Sequence, residues 1–535
     1  MTPTKSLPIL QGNLTERITL DKALQQDRDI LHRLTYPEKR LDFCSQVYQS
    51  ITNGVFYKVL QHHLGLPSSQ YHIPWVNEWL HGSYNICIPI YVHKKKKYMM
   101  RLPLPYKVGE ASNPGNVEEK LRCEVAMYAY IATNHAAIPV PELLGFSFTA
   151  SSCFTAMIHA PLLLRAGSWL RRSLQWLTGN RRGTSFLRHD HGLDFPFAYM
   201  LIEYVSDGDM LSAVWDEIDG DSAKRATLYA DLASIMLSLA SVPFSRIGSL
   251  KMDNDGTLSL SNRPLLYFIH QFENEGISTG LPRELAYSAS DLYILDTLSC
   301  HDNRVACQPN SMYSEEDGHE QLASLTMMRA LLGHHLRREY RHGPFALQLT
   351  DLHPSNMFVD RDGRITSIID LEWACVLPVE LLRPPHWLTQ RAIDMLEDED
   401  LVAYDQRRQE FMSACETAER RLTAATTLTK IMKEGWERGS FWYFHAITSC
   451  NAVFNLFTSH IQESYGPQAT TTYRELNRSA WPYWRMGTTR FVERKLQERG
   501  RYLQRVRDLF DKAGEVDNTA DEEKDVSVDT AGRRD

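Results

Sequence analysis

Between Leu347 and Ala374 the chain reads LQLTDLHPSNMFVDRDGRITSIIDLEWA. Two apolar runs, NMFVD and ITSIID, are joined by Arg-Asp-Gly-Arg, a turn-forming link, so the segment is expected to form a β-hairpin. Its ends carry chemistry: Asp351, His353 and Asn356 precede the first run, and Asp370 closes the second. Because a hairpin holds its two strands in register, it fixes these groups relative to one another.

Upstream, the periodicity changes along the chain. LDFCSQVYQSITNGVFYKVLQHHLGL places apolar residues at three- and four-residue steps and reads as helix. YNICIPIYVHKKKKYMMRLPLP reads as two strands around a turn at Lys94 to Lys97. Next come an amphipathic helix in GNVEEKLRCEVAMYAYIATNH, an extended connection in IPVPELLGFSF, and an apolar strand in PFAYMLIEYV. After about residue 209 helical patterns dominate, apart from the hairpin.

The expected fold is therefore α+β, with strands concentrated before about residue 209 and helices after it. The expected division is a helical N-terminal extension at 1–74, a β-rich part at 75–205 with an Arg-rich insertion at 155–195, and a mainly helical part at 206–512 that holds the segment 347–374. An acidic tail at 513–535 is expected to be disordered.

Composition narrows the function classes. A net charge of -8 argues against a general nucleic-acid binder, since phosphate affinity needs clustered Lys and Arg. The nine Cys form no C-x-x-C pair, which reads as reduced thiols and not as a disulfide framework or zinc site. No run of about 18 apolar residues would span a membrane, and the N-terminus lacks a signal-peptide core, so the expectation is a soluble, cytoplasmic protein. A P-loop and an H-E-x-x-H motif are absent. GISTG at 276–280 matches G-x-S-x-G, but FIHQFENE before it is not the buried strand a nucleophile elbow requires.

An Asp, an Asn five residues on, then an Asp after an apolar strand is the spacing of a phosphoryl-transfer site. One carboxylate must take a hydroxyl's proton, while a second and an amide oxygen hold the Mg²⁺ that bridges nucleotide phosphates. The competing reading makes Asp351 and Asn356 turn formers and Asp370 a strand-end cap.

The same block resembles the aminoglycoside phosphotransferase and choline kinase-like family, protein-kinase relatives that phosphorylate small molecules. The likeness spans about residues 75–390 and is strongest to the family's fungal branch, on RIGSL (246–250) and GPFALQLTDLHPSN (343–356). It implies a two-lobed protein-kinase-like fold, with 75–205 as a small β-rich N-lobe and 206–512 as a larger, mainly helical C-lobe whose catalytic loop is 347–374. Such a fold uses ATP and Mg²⁺, with Asp351 as catalytic base, His353 organising the loop, and Asn356 and Asp370 on the metal. It further implies a phosphate-covering turn at Gly82, Ser83, Tyr84 and Asn85, and an Arg101–Glu124 ion pair. An adenine-binding linker would run from Glu203 to Val205, with Met200 and Leu201 nearby.

Two departures stand out. Leu349 and Thr350 replace the family's His-Gly before the catalytic Asp, and the phosphate turn has a single Gly. They motivate a second expectation, a nucleotide-binding pseudokinase that acts as a scaffold or regulator. For an active enzyme the expected acceptor is a small hydroxylated metabolite. A positive charge on it is suggested by Glu372 and by the acids Asp394, Glu397, Asp398, Glu399 and Asp400. The aromatic stretch at 439–457 reads as core packing by default.

Overall fold

The computed structural model describes residues 6–7, 18–92, 96–148, 152–162, 164–166, 183–422, 427–465, 475 and 479–529, with side chains between 18 and 512. The turn at 93–95 and most of the Arg-rich insertion, 167–182, lie outside the described residues.

An eight-stranded antiparallel sheet forms the N-lobe. Its order is Tyr71–His72, Asn85–Val92, Lys96–Pro103, Tyr199–Glu203, Leu143–Ser147, Cys153–Ala156 and Phe186–Arg188, with Leu80–His81 also pairing on Asn85–Val92. The last two of these strands flank the insertion, so its ends extend the sheet. Side-chain alternation gives each face its role. Ile86, Ile88, Ile90, Met100 and Leu102 point outward into a core closed by Phe43, Val47, Phe56, Val59 and Leu60. Those five residues come from the helices Tyr36–Thr52 and Val55–Leu64, so the N-terminal extension completes the lobe's core. Asn85, Cys87, Met99 and Arg101, the alternate positions, face a cleft on the other side.

His63 ties these helices to the sheet. Fully buried, its ring reaches the hydroxyls of Thr155 at 2.9 Å and Tyr199 at 2.8 Å. The ring fits only because position 145 is glycine, where a Cβ would come 2.2 Å from His63 Nδ1.

The helix Asn116–Asn134 packs behind the sheet and is buried on nearly all sides, Glu119, Lys120 and Glu124 included. Its first turn is anchored in the C-lobe. Arg263 reaches Glu119 at 2.8 Å and Glu273 at 2.6 Å, and Asn116 Nδ2 donates to Glu273 at 2.7 Å. The Glu119 carboxyl is opposed by burial, yet the His270 and Arg263 hydrogen bonds hold it well below the usual range.

The C-lobe is mainly helical, with the expected hairpin, Met357–Val359 paired to Ile365–Ile368, set among the helices. After the hairpin come the helices Asp398–Glu419 and Leu428–Glu437. GISTG follows a helix, Tyr267–Asn274, and so is no strand-turn-helix elbow. Tyr443 and Phe444 are buried core residues, as the default reading had it. The final helix runs Thr488–Asp529, past the start of the tail expected to be disordered. Among the described residues no helix is long and apolar enough to cross a membrane. The expected α+β, two-lobed architecture forms.

Candidate functional site

A cleft of about 980 Å³ opens between the sheet's inner face and the hairpin. Gly82, Ser83, Tyr84, Asn85, Arg101, Glu203, Val205, Asp351, His353, Asn356 and Asp370 all line it. Glu124, Met200 and Leu201 do not line it: Glu124 is 1% exposed and stands behind Arg101, and Met200 and Leu201 are buried in the strand Tyr199–Glu203. Residues from five separate elements therefore converge on one space.

At the centre is a network of charges. One nitrogen of the Arg101 guanidinium lies 2.8 Å from Glu124 Oε1, and the other donates to Asp370 Oδ1. That second nitrogen is also 3.5 Å from Glu372 Oε2. Lys120, fully buried, places Nζ 2.5 Å from Glu372 Oε2 and donates to Asn85 Oδ1 at 2.8 Å. Asn85 Nδ2 returns a bond to Glu372 Oε2 at 2.7 Å. Asn85 closes the turn from Gly82, whose N–H donates to its carbonyl at 2.9 Å, and is also a link in this network.

Asp370 sits at φ 60°, a left-handed conformation that costs an L-residue on the order of 1–2 kcal/mol and that Asp tolerates better than most. Burial disfavours its charge, but the Arg101 guanidinium outweighs this and holds the carboxyl below its ordinary value. Asp351 has no such partner. Burial, reinforced by the negative charges of Glu372 and Asp370, pushes its carboxyl up to about 7. Two carboxylates flanking one hairpin are thereby separated in acidity by their surroundings.

The loop before the hairpin is held by several short bonds. Thr350 Oγ1 donates to the Trp373 carbonyl at 2.5 Å, tying the approach to Asp351 to the segment after Asp370. Trp387 Nε1 donates to the Leu352 carbonyl at 2.6 Å. His353 Nδ1 accepts from Ser355 N–H at 3.2 Å and so caps the turn Pro354–Asn356. Asn356 Nδ2 donates to the Asp351 carbonyl at 3.0 Å, which leaves its amide oxygen free to face the cleft. The Leu349-Thr350 departure is accommodated, because Thr350 supplies a loop-organising bond.

In the linker, Glu203 N–H already donates to the Glu142 carbonyl at 2.9 Å and Tyr204 N–H to Lys97 at 3.3 Å. Among the described residues, the N–H of Val205, the third linker residue, has no such bond. The acids at 394–400 do not line the cleft. Most are exposed, and Asp400 pairs with Arg391 at 3.1 Å.

Lys120 was not anticipated from sequence. The available signal was its position four residues before Glu124 in EEKLRCE, but such pairs usually lie on solvated helix faces.

Around Arg101 and Lys120 stand three carboxyls, those of Glu124, Asp370 and Glu372, one more than the two cations. Glu124, Asp370 and Glu372 each bring a carboxylate oxygen within 4.8 Å of the others. An all-oxygen donor set with excess negative charge suits a hard divalent cation.

No protein-family model and no curated protein matches the chain. Among solved structures it is similar to a type I macrolide 2′-phosphotransferase, at 11% identity and a TM-score of 0.33 over 79% of this chain and 95% of that one. It is also similar to a macrolide 2′-phosphotransferase from Brachybacterium faecium, at 12% identity and a TM-score of 0.32 over 78% of this chain and 98% of that one. An amicoumacin kinase in complex with AMP-PNP, Ca²⁺ and Ami is similar at 9% identity and a TM-score of 0.36 over 84% of this chain and 96% of that one.

Proposed function

We propose that the protein is an ATP- and divalent-cation-dependent phosphotransferase that acts on a hydroxyl of a small molecule. The observation that carries this reading is the pairing of Asp351, pushed up to about 7, with Asp370, held low by Arg101, on the two ends of one hairpin. A site that separates two carboxyls in this way assigns one to proton transfer and the other to permanent charge. When bound, the nucleotide and its cation would supply the phosphoryl group and neutralise its charge.

Each residue then has a task. Asp351 takes the hydroxyl proton of the acceptor as that oxygen bonds to phosphorus and the bond to the nucleotide's leaving oxygen breaks. Asp370 and the Asn356 amide oxygen are the cation's candidate ligands, with Glu372 beside them. Arg101, steadied by Glu124, faces the phosphates, and Val205 N–H is placed for the base. His353 orients the loop.

The test is Asp351→Asn, assayed with ATP labelled on its γ-phosphate against a metabolite extract. Phosphate transfer should fall by roughly 10²–10⁴-fold, while Mg–AMP-PNP binding stays within about twofold of the parent. Transfer near the parent rate would remove Asp351 from the chemistry. A parent protein that binds Mg–AMP-PNP yet phosphorylates nothing would favour the scaffold reading suggested by Leu349 and Thr350.

A further inference from the structure

One end of the cleft is closed by the N-terminal arm. Ile18, Ala23 and Ile30 pack against Tyr502, Val506 and Phe510 of the last helix. Ile30 N–H donates to Tyr502 OH at 2.7 Å, and Asn310 Nδ2 donates to the Gln26 and Arg28 carbonyls at 2.9 and 3.2 Å. A few residues later, Phe43 and Val47 are in the sheet's core. The arm therefore crosses from one lobe to the other. On the way it presents Arg28, Arg33 and Arg40 to the same cleft that Asp351 and Asp370 line, and Lys107 joins them from the helix Pro105–Val108.

Three of these half-buried cations, Arg28, Arg33 and Lys107, differ from those of the network around Asp370 and of the Glu119 anchor. Arg101, Lys120 and Arg263 each meet a carboxylate within 2.8 Å. Among the described residues, Arg28, Arg33 and Lys107 form no ion pair. Lys107 Nζ rests 3.8 Å from the centre of the Tyr36 ring, and the Arg28 guanidinium meets the neutral side-chain amide of Asn451 at 3.2 Å. Burial, with repulsion from Arg33 and Arg40, brings the Lys107 ammonium down to about 8, and burial and Arg28 act the same way on Arg33. Glu275 is the acid at this end, and burial pushes its carboxyl up, away from its charged form. Partly buried cations that repel one another oppose folding. Such an arrangement is expected where a ligand completes it.

We infer that the wall of Arg28, Arg33, Arg40 and Lys107 binds an anionic group, a carboxylate or phosphate, on the hydroxyl-bearing acceptor. The inference rests on the phosphotransfer reading of the cleft and replaces the expected positive charge on the acceptor with a negative one. A phosphate fits two Arg forks from the arm, with the Lys107 ammonium as a point charge.

Isothermal calorimetry at low ionic strength tests it, with inorganic phosphate and, separately, citrate titrated into protein saturated with Mg–AMP-PNP. At least one anion should bind the parent, and the better of the two identifies the group. The double variant Arg33→Gln/Lys107→Gln should weaken that binding at least tenfold with AMP-PNP affinity within twofold, and Arg33→Lys/Lys107→Arg should restore most of it. No anion binding to the loaded parent, or equal binding by the Gln variant, would overturn the inference. So would a loss confined to AMP-PNP affinity, which would assign the wall to the nucleotide's phosphates. The same titrations on nucleotide-free protein separate the two readings: anion binding that depends on the wall, in a protein that never binds AMP-PNP, keeps the anion site and discards phosphotransfer.

Discussion

The Arg101 guanidinium joins Glu124, 2.8 Å away on a helix behind the sheet, to Asp370 at the end of the C-lobe hairpin. One side chain thus connects the strand, the helix and the hairpin that build the cleft. It can do so because a guanidinium presents separate donors in a rigid fork, which an ammonium lacks.

Arg101→Lys should therefore fold but hold only one of the two carboxylates. The expected outcome is a rise of about tenfold in the Kd for Mg–AMP-PNP with a modest fall in Tm. Arg101→Met leaves buried carboxylates uncompensated and should destabilise by roughly 3–5 kcal/mol. Unchanged nucleotide affinity in the Lys variant would show that the fork is not used.

Lys120 contributes through Glu372 and Asn85 rather than by facing the cleft. Lys120→Met strands Glu372 with an amide and the more distant Arg101 as partners, so stability should fall by on the order of 3 kcal/mol. The double variant Lys120→Met/Glu372→Gln should recover part of that loss in urea unfolding. Equal loss in the single and double variants would mean that the pair is not coupled.

Gly145→Ala tests the docking of the N-terminal helices. The added Cβ falls 2.2 Å from the His63 ring, which is held by two hydroxyls and cannot easily move. Overpacking of this kind costs about 1–3 kcal/mol. Adding His63→Ala should relieve the clash, so the double variant should be more stable than the sum of the two single losses. Strict additivity would indicate that the sheet shifts instead.

Acid sensitivity follows from buried imidazoles. Burial brings His301, His335 and His386 down to about 4 from an ordinary 6.5. Their folded-state pKa values are depressed, so the unfolded chain takes up protons first as pH falls. The stability they contribute is complete above pH 6.5 and is lost between there and pH 4, on the order of 3 kcal/mol per fully buried ring. Calorimetric Tm values should drop steeply across that window. In His301→Gln the slope should be shallower by about one proton, and an unchanged slope would remove His301 from the account.

The hairpin was legible in the sequence because its information is local. A turn, two apolar runs and the positions of Asp351, Asn356 and Asp370 all lie within one short segment, where spacing alone sets geometry. Arg101 and Glu124 could be paired through resemblance, since strand alternation and helix phase decide which way each points. Tertiary structure alone decided the rest. The helix Asn116–Asn134 is buried almost all round, so its polar residues follow no amphipathic stripe that would mark Glu119 and Lys120 as interior. Each finds its partner far along the chain, Lys120 at Glu372 and Glu119 at Arg263. The N-terminal arm reads as a helical extension, and nothing in its sequence singles out its Arg residues. Only packing against Tyr502 at one end and the sheet at the other turns them toward the cleft, because burying a charge is set by what surrounds it in space and not by its neighbours in sequence.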